Sequence, residues 1–176
     1  MSVLITGSEG FLGRNLSKYL DKKNIPFYTM GLKEVKRQNH FQIPSIKDKL
    51  SVQEILKSIK PSIIYHFAGS PIGDEEEMEE LNFGYANNII KGLENNSLTD
   101  TNLLLIGTSA EYGFVKEEDL PITEEYIPQP ESGYGKSKLK QTNHFLGINL
   151  NKHKTIVLRP FNIYGPGMPD YLSISN

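Results

Sequence analysis

The stretch Ile5-Thr6-Gly7-Ser8-Glu9-Gly10-Phe11-Leu12-Gly13 decides the fold. Residues 2–6 form a short apolar, β-capable run that Gly7 breaks. Residues 10–24 then place Phe11, Leu12, Leu16, Tyr19 and Leu20 at helical spacing, with Lys22 and Lys23 in the last turn and Asn24 just beyond. Strand, glycine turn and helix therefore follow one another without a gap. Glycines spaced G-x-x-G-x-x-G let the chain turn tightly and bring its backbone against a pyrophosphate, whose charge is favoured at a helix N-terminus. The spacing alone is equally that of a plain turn; its strand-to-helix setting is what points to dinucleotide binding.

Outward from this turn the same alternation repeats. Residues 25–30 read as a second strand, with Pro26 near its start, and residues 31–39 as a basic, polar loop. A short third strand is expected over residues 40–43. Residues 48–60 set Leu50, Val52, Ile55, Leu56 and Ile59 on a helical stripe that Pro61 stops. Residues 62–68 and 102–107 are near-continuous apolar runs of the kind buried in parallel sheets. The acidic cluster of residues 74–80 is read as the start of a helix, where carboxylates meet the positive end of the dipole, and no metal is assigned to it. Residues 111–130 are polar and carry three prolines (Pro121, Pro128 and Pro130), a loop or lid at the end of the preceding strand. A helix over residues 132–149 and a last strand from Thr155 to Leu158 complete a doubly wound, Rossmann-type α/β sheet with right-handed crossovers.

Composition bounds the function. The 176 residues fit one domain, and 38% hydrophobic with 23% charged residues describe a soluble globular chain. A formal net charge of -2 gives no nucleic-acid footprint, and no segment is long and apolar enough to cross a bilayer. The absence of Cys excludes a disulfide framework and a thiolate zinc site, and with no basic leader ahead of residue 3 the expectation is a cytoplasmic protein.

Chemistry concentrates in Ser132-Gly133-Tyr134-Gly135-Lys136-Ser137-Lys138. On a helix the four-residue step puts Tyr134 and Lys138 on one face. A phenol titrates near pH ~10, and a neighbouring ammonium lowers that value, which would let Tyr134 exchange a proton with an alcohol or carbonyl. An ordinary surface Tyr and Lys at helical spacing is the competing reading.

With the glycine turn and Tyr134-x-x-x-Lys138 both present, the chain resembles the extended short-chain dehydrogenase/reductase superfamily, and more narrowly the NAD(P)-dependent nucleotide-sugar epimerase/dehydratase family. Tyr65-His66-Phe67-Ala68-Gly69, Asn82-Phe83-Gly84-Tyr85-Ala86-Asn87, Thr108-Ser109-Ala110-Glu111-Tyr112-Gly113 and Leu158-Arg159-Pro160-Phe161-Asn162-Ile163-Tyr164-Gly165 resemble further family segments in the family's order. The resemblance implies Tyr134 as general acid/base, Lys138 on the nicotinamide ribose and lowering the Tyr pKa, and Thr108 on the reacting sugar oxygen. It implies a pyrophosphate cradle of Gly7, Gly10, Phe11, Leu12 and Gly13, with Ala68, Asn82 and Phe161 along the cofactor and Ser109 and Asn162 at the substrate. His66 is read as structural.

The cofactor is written NAD(P). At the end of the second strand, where a ribose-binding carboxylate is expected, the sequence reads Thr29-Met30-Gly31-Leu32. Lys33, Lys36 and Arg37 follow, either meeting a 2′-phosphate or remaining solvated, and the reading leans slightly to NADP.

Two departures from the family pattern shape the expectation. Family dehydratases carry an Asp-Glu pair after the catalytic Ser/Thr, whereas here Ser109 and Ala110 stand there, so epimerase or reductase chemistry on a nucleotide-sugar is expected. The family continues into a smaller substrate lobe, so residues 1–168 are assigned to the NAD(P)-binding domain and 169–176 to the start of that lobe, with activity of this length of chain open. The alternatives are a non-catalytic NAD(P)-binding module acting through a protein partner, and a structural or assembly protein. A homodimer through apolar positions of residues 85–93 and 139–146 is a further expectation, with core packing explaining them as well.

Overall fold

The structure, a computed structural model, describes residues 2–147 and 154–169. Six parallel strands form one sheet in the order β3-β2-β1-β4-β5-β6, comprising β1 (Val3–Thr6), β2 (Phe27–Gly31), β3 (His40–Gln42), β4 (Ile63–His66), β5 (Asn102–Ile106) and β6 (Thr155–Leu158). This is the Rossmann-type doubly wound sheet expected from the sequence. The order reverses between β1 and β4, the point at which such sheets open a crevice beyond their carboxyl ends.

β1 is buried along its whole length because it is central and covered on both faces, which is why its sequence is continuous rather than alternating. Leu4 packs into a cluster with Ile64, Leu103 and Leu105 beneath α2 (Lys49–Ile59), α4 (Tyr85–Asn95) and α5 (Gly133–Gly147). On the other face Val3, Ile5 and Phe27 pack with Leu16 and Leu20 of α1 (Phe11–Lys22). Each fully buried apolar side chain among them stabilises the fold by about 1.5–3 kcal/mol relative to exposure.

Local signals explain the helix ends. Asp48 caps α2, accepting the Ser51 N–H, and Lys60 ends it in the left-handed region ahead of Pro61. Asp74 forms a capping box with Glu77 at the start of α3 (Glu75–Glu79), so the acidic cluster serves a helix N-terminus as expected. A π-helical turn, Glu80–Gly84, joins α3 to α4 and turns Asn82 fully inward.

One sequence expectation is corrected here. Leu50 is 73% exposed, because the helix it opens meets the sheet only through Val52, Ile55, Leu56 and Ile59. Tyr85, Ile89, Ile90 and Leu93 are core residues, so core packing, the other explanation given for these apolar positions, accounts for them on α4. On α5, Leu146 is exposed, and the expected end of that helix at residue 149 lies outside the described residues.

Candidate active site and cofactor cleft

The carboxyl ends of β1, β4, β5 and β6 and the first turns of α5 surround a cleft of about 330 Å³. From β1 come Gly7, Gly10, Phe11, Leu12 and Gly13; from β5, Thr108 and Ser109; from α5, Tyr134 and Lys138; from the segment after β6, Phe161 and Asn162. These residues lie far apart in sequence, and parallel strands bring their ends to one edge. A second cavity of about 220 Å³ adjoins it through Gly7, Gly10, Phe67 and Gly69 and contains Ala68, Leu32, Lys33 and His40.

The glycine turn is built for a close approach. Gly7 has φ +68, and a Cβ there would lie 2.5 Å from the Ala68 nitrogen on β4's exit. α1 starts at Gly10 with no side-chain cap and no acidic residue in its first turn. Its first N–H groups thus face the cleft at the positive end of a twelve-residue helix, an arrangement that fits an anionic pyrophosphate.

Gly135 brings α5 to the end of β5. A Cβ at this position would sit 2.5 Å from the Ala110 carbonyl oxygen, so only a glycine allows the helix this close. Tyr134 is thereby placed beside Thr108. Burial pushes the Tyr134 phenol up, the hydrogen bond with Thr108 pulls it down, and the Glu111 carboxylate pushes it up again, for a net upward shift.

That direction is opposite to the one expected from the Tyr-Lys spacing. Lys138 is 3% exposed, and its Nζ donates to the Ile106 carbonyl at 2.8 Å and to Gln141 Oε1 at 3.0 Å. Its charge is directed at β5 and its own helix instead of at the phenol. Burial lowers Lys138 to about 8, with Glu111 opposing, so at neutral pH it remains an ammonium.

Asn82 does not line the cleft. Its Oδ1 accepts the Ser70 N–H at 2.9 Å, and its Nδ2 donates to the Ser70 carbonyl and to Ser137 Oγ, each at 3.0 Å. It ties the loop after β4 to α5 one layer below the cavity wall. His66 is buried and paired with Thr6 Oγ1 at 2.7 Å, in keeping with its structural reading.

Of the three basic loop residues, Arg37 is already engaged. It makes two bonds to Asp21, at 3.2 and 2.6 Å, and lies over the Phe27 ring. Lys33 lines the smaller cavity and Lys36 is exposed.

The sequence reading missed several residues of the site. Phe67, Gly69 and Pro71 line the cleft, and the buried Glu111 and half-buried Arg159 form an ion pair behind it. A signal existed for the first group, since residues just past a parallel strand lie at the crevice. None existed for the ion pair, whose members are 48 positions apart.

The profile of the NAD dependent epimerase/dehydratase family matches residues 3–174. The chain belongs to this family. Among curated relatives, GDP-6-deoxy-D-mannose reductase of Pseudomonas aeruginosa is 28% identical over 99% of this chain and 56% of its own length. Methionine adenosyltransferase 2 subunit beta of Mus musculus is 31% identical over 93% of this chain and 47% of its own. The chain thus spans about half the length of the curated relatives it matches. Among solved structures, RMD from Pseudomonas aeruginosa complexed with NADPH superposes with TM-score 0.80 at 26% identity, covering 97% of this chain and 56% of that one. The UDP-glucose 4-epimerase of Thermus thermophilus in complex with NAD gives 0.81 at 26%, covering 96% and 58%. This epimerase/dehydratase chain therefore shares its fold with proteins whose structures hold either nicotinamide cofactor. No described helix is long and apolar enough to cross a membrane.

Proposed function

We propose that this chain is the NAD(P)-binding, proton-transferring portion of a nucleotide-sugar epimerase or reductase. The carrying observation is that Thr108, Tyr134 and Lys138 share one cleft with the glycine turn and the uncapped N-terminus of α1. The bound nicotinamide supplies hydride transfer. The chain's own residues then have separate tasks. Gly7, Gly10, Phe11, Leu12 and Gly13 hold the pyrophosphate, and Phe67, Ala68 and Gly69 form the opposite wall.

Thr108 orients the reacting sugar oxygen, and Tyr134 takes or returns its proton. With burial and Glu111 holding the phenol in its protonated form, Tyr134 is set to act first as an acid in the reductive direction. Lys138 is the positive charge in this wall, and turning its Nζ away from Gln141 would serve the ribose hydroxyls. Ser109 and Asn162 are assigned to the substrate, with Phe161, 63% exposed, at the mouth. With Ser109 and Ala110 after Thr108, there is no carboxylate pair for eliminating water, which favours epimerisation or reduction over dehydration. Lys33, at the smaller cavity and free of the ion pair that occupies Arg37, supports a lean to NADP. Residues 1–168 are taken as the cofactor domain and the remainder as the start of a substrate lobe.

The test is a panel of GDP- and UDP-sugars supplied with each oxidised and reduced cofactor, following nicotinamide absorbance and sugar products. Tyr134→Phe is expected to lower turnover by about 10²-fold or more while cofactor binding is kept. Undiminished turnover in the variant would overturn the assignment. Lys33→Ala is expected to weaken NADP+ relative to NAD+ in a binding titration; an unchanged ratio removes the basis for the NADP lean.

A second reading has its own support in the 31% identity to a protein named as a subunit, Methionine adenosyltransferase 2 subunit beta. Here the chain binds NAD(P) and acts through a protein partner. Tight cofactor binding with no hydride exchange across the whole panel would favour it.

A further inference from the structure

Glu111 is a buried carboxylate that the proton-transfer scheme does not use. It is 0% exposed and does not line the cleft. One oxygen accepts the Thr108 N–H at 2.9 Å and the other accepts Arg159 Nε at 2.7 Å. Arg159 in turn donates through Nη1 to the Tyr112 hydroxyl at 3.3 Å, and the Tyr112 ring stacks on Phe161 with centroids 6.4 Å apart.

The pair joins two segments that must be in register for the site to exist. The Gly107 N–H donates to the Leu158 carbonyl at 2.6 Å and the Ser109 N–H to the Pro160 carbonyl at 3.0 Å, so the exits of β5 and β6 run side by side. Across them Glu111 holds the main chain of Thr108, while Arg159 holds the start of the segment bearing Phe161 and Asn162. A carboxylate is retained in such a dry place only when its partners satisfy it. Here those partners are the backbone of one proposed site residue and the guanidinium next to others.

We infer that Glu111 and Arg159 are a positioning pair for the site, holding Thr108 against Tyr134 and the exits of β5 and β6 in register, with their opposed charges behind the cleft. This rests on the reading of Tyr134 as the acid/base. The charged groups on the elements packed about Tyr134 are Lys138 on its own helix, Glu111 after β5, Arg159 after β6 and Glu75 of α3, packed against Gly133, and of these Glu111 is the one that acts on the phenol. Among them Glu111 disfavours the phenolate, and Arg159 screens Glu111.

Ultraviolet titration of tyrosinate in the free protein tests this, with each variant's Tyr134→Phe counterpart subtracted to isolate one of the nine tyrosines. Glu111→Gln removes a negative charge, so Tyr134 is expected to titrate at lower pH than in the parent. Arg159→Gln leaves the carboxylate unscreened, so Tyr134 is expected to titrate higher. Arg159→Lys, which keeps the charge, should restore a value near that of the parent.

A purely structural role predicts otherwise, since loosening the site exposes the phenol and moves both Gln variants downward together. Shifts of the same sign, or no shift in either, overturn the inference. Should Glu111→Gln fail to fold, the Arg159→Gln result decides alone, with an unchanged or lower titration against it. The titration needs neither cofactor nor sugar, so its failure is distinct from a failure of the Tyr134→Phe turnover test.

Discussion

At 1% exposure His66 lies inside the sheet, with Nδ1 on Thr6 Oγ1 and Nε2 without a partner among the described residues. Burial first, and the nearby Lys138 charge second, push it down to about 3. In the unfolded chain the same imidazole titrates near pH ~6.5. Between these values the unfolded state binds the extra proton, so stability is fully present above about pH 6.5 and is lost as pH falls below it. The expected outcome is a urea midpoint that drops between about pH 6.5 and pH 4, with one proton contributing at most about 1.4 kcal/mol per pH unit. His66→Gln should flatten this dependence, and parallel profiles for the two proteins would refute the assignment. Lys138 illustrates the same point about single residues: its helical spacing to Tyr134 was visible in the sequence, but the partners of its Nζ were not.

Elements meet in this molecule where side chains are absent. α5 reaches the turn after β5 only because Gly135 has no Cβ to strike the Ala110 carbonyl. Gly135→Ala should gain about 0.5–1 kcal/mol of helix propensity. The contact at 2.5 Å is with backbone, which cannot rotate away, so overpacking of about 1–3 kcal/mol should outweigh that gain. Thermal melts should show net destabilisation, and cofactor titration should show weaker binding as Tyr134 and Lys138 are displaced. A more stable variant with unchanged binding would show that the helix approach is not constrained there. α1 and the Gly7 turn are the parallel case on β1, where strand end and helix start are only four residues apart and the sequence pattern therefore disclosed them.

On the scale of the whole molecule, the two faces of the sheet are covered unequally. α2, α4 and α5 blanket one face, while on the other α1 packs on Val3, Ile5 and Phe27. Toward β6 that second face is less covered among the described residues: Leu104 and Ile106 are half-buried, and Ile156 and Leu158 are 55% and 45% exposed. An apolar sheet face next to an edge strand favours association. Light scattering is therefore expected to show self-association that rises with concentration and falls in the double variant Ile156→Lys, Leu158→Lys; equal scattering from the two would reject it. By itself the sequence determined the succession of strands and helices, the glycine turn, and the set of residues carried to the sheet's edge, because periodicity and turn chemistry are local properties. Only the tertiary structure decided that Asp21 occupies Arg37, that Asn82 braces the wall behind the cleft, that Lys138 points at Ile106, and that Glu111 meets Arg159. Those pairings join elements distant in sequence, and a partner's identity there depends on which strand exits lie side by side and how dry the space between them is.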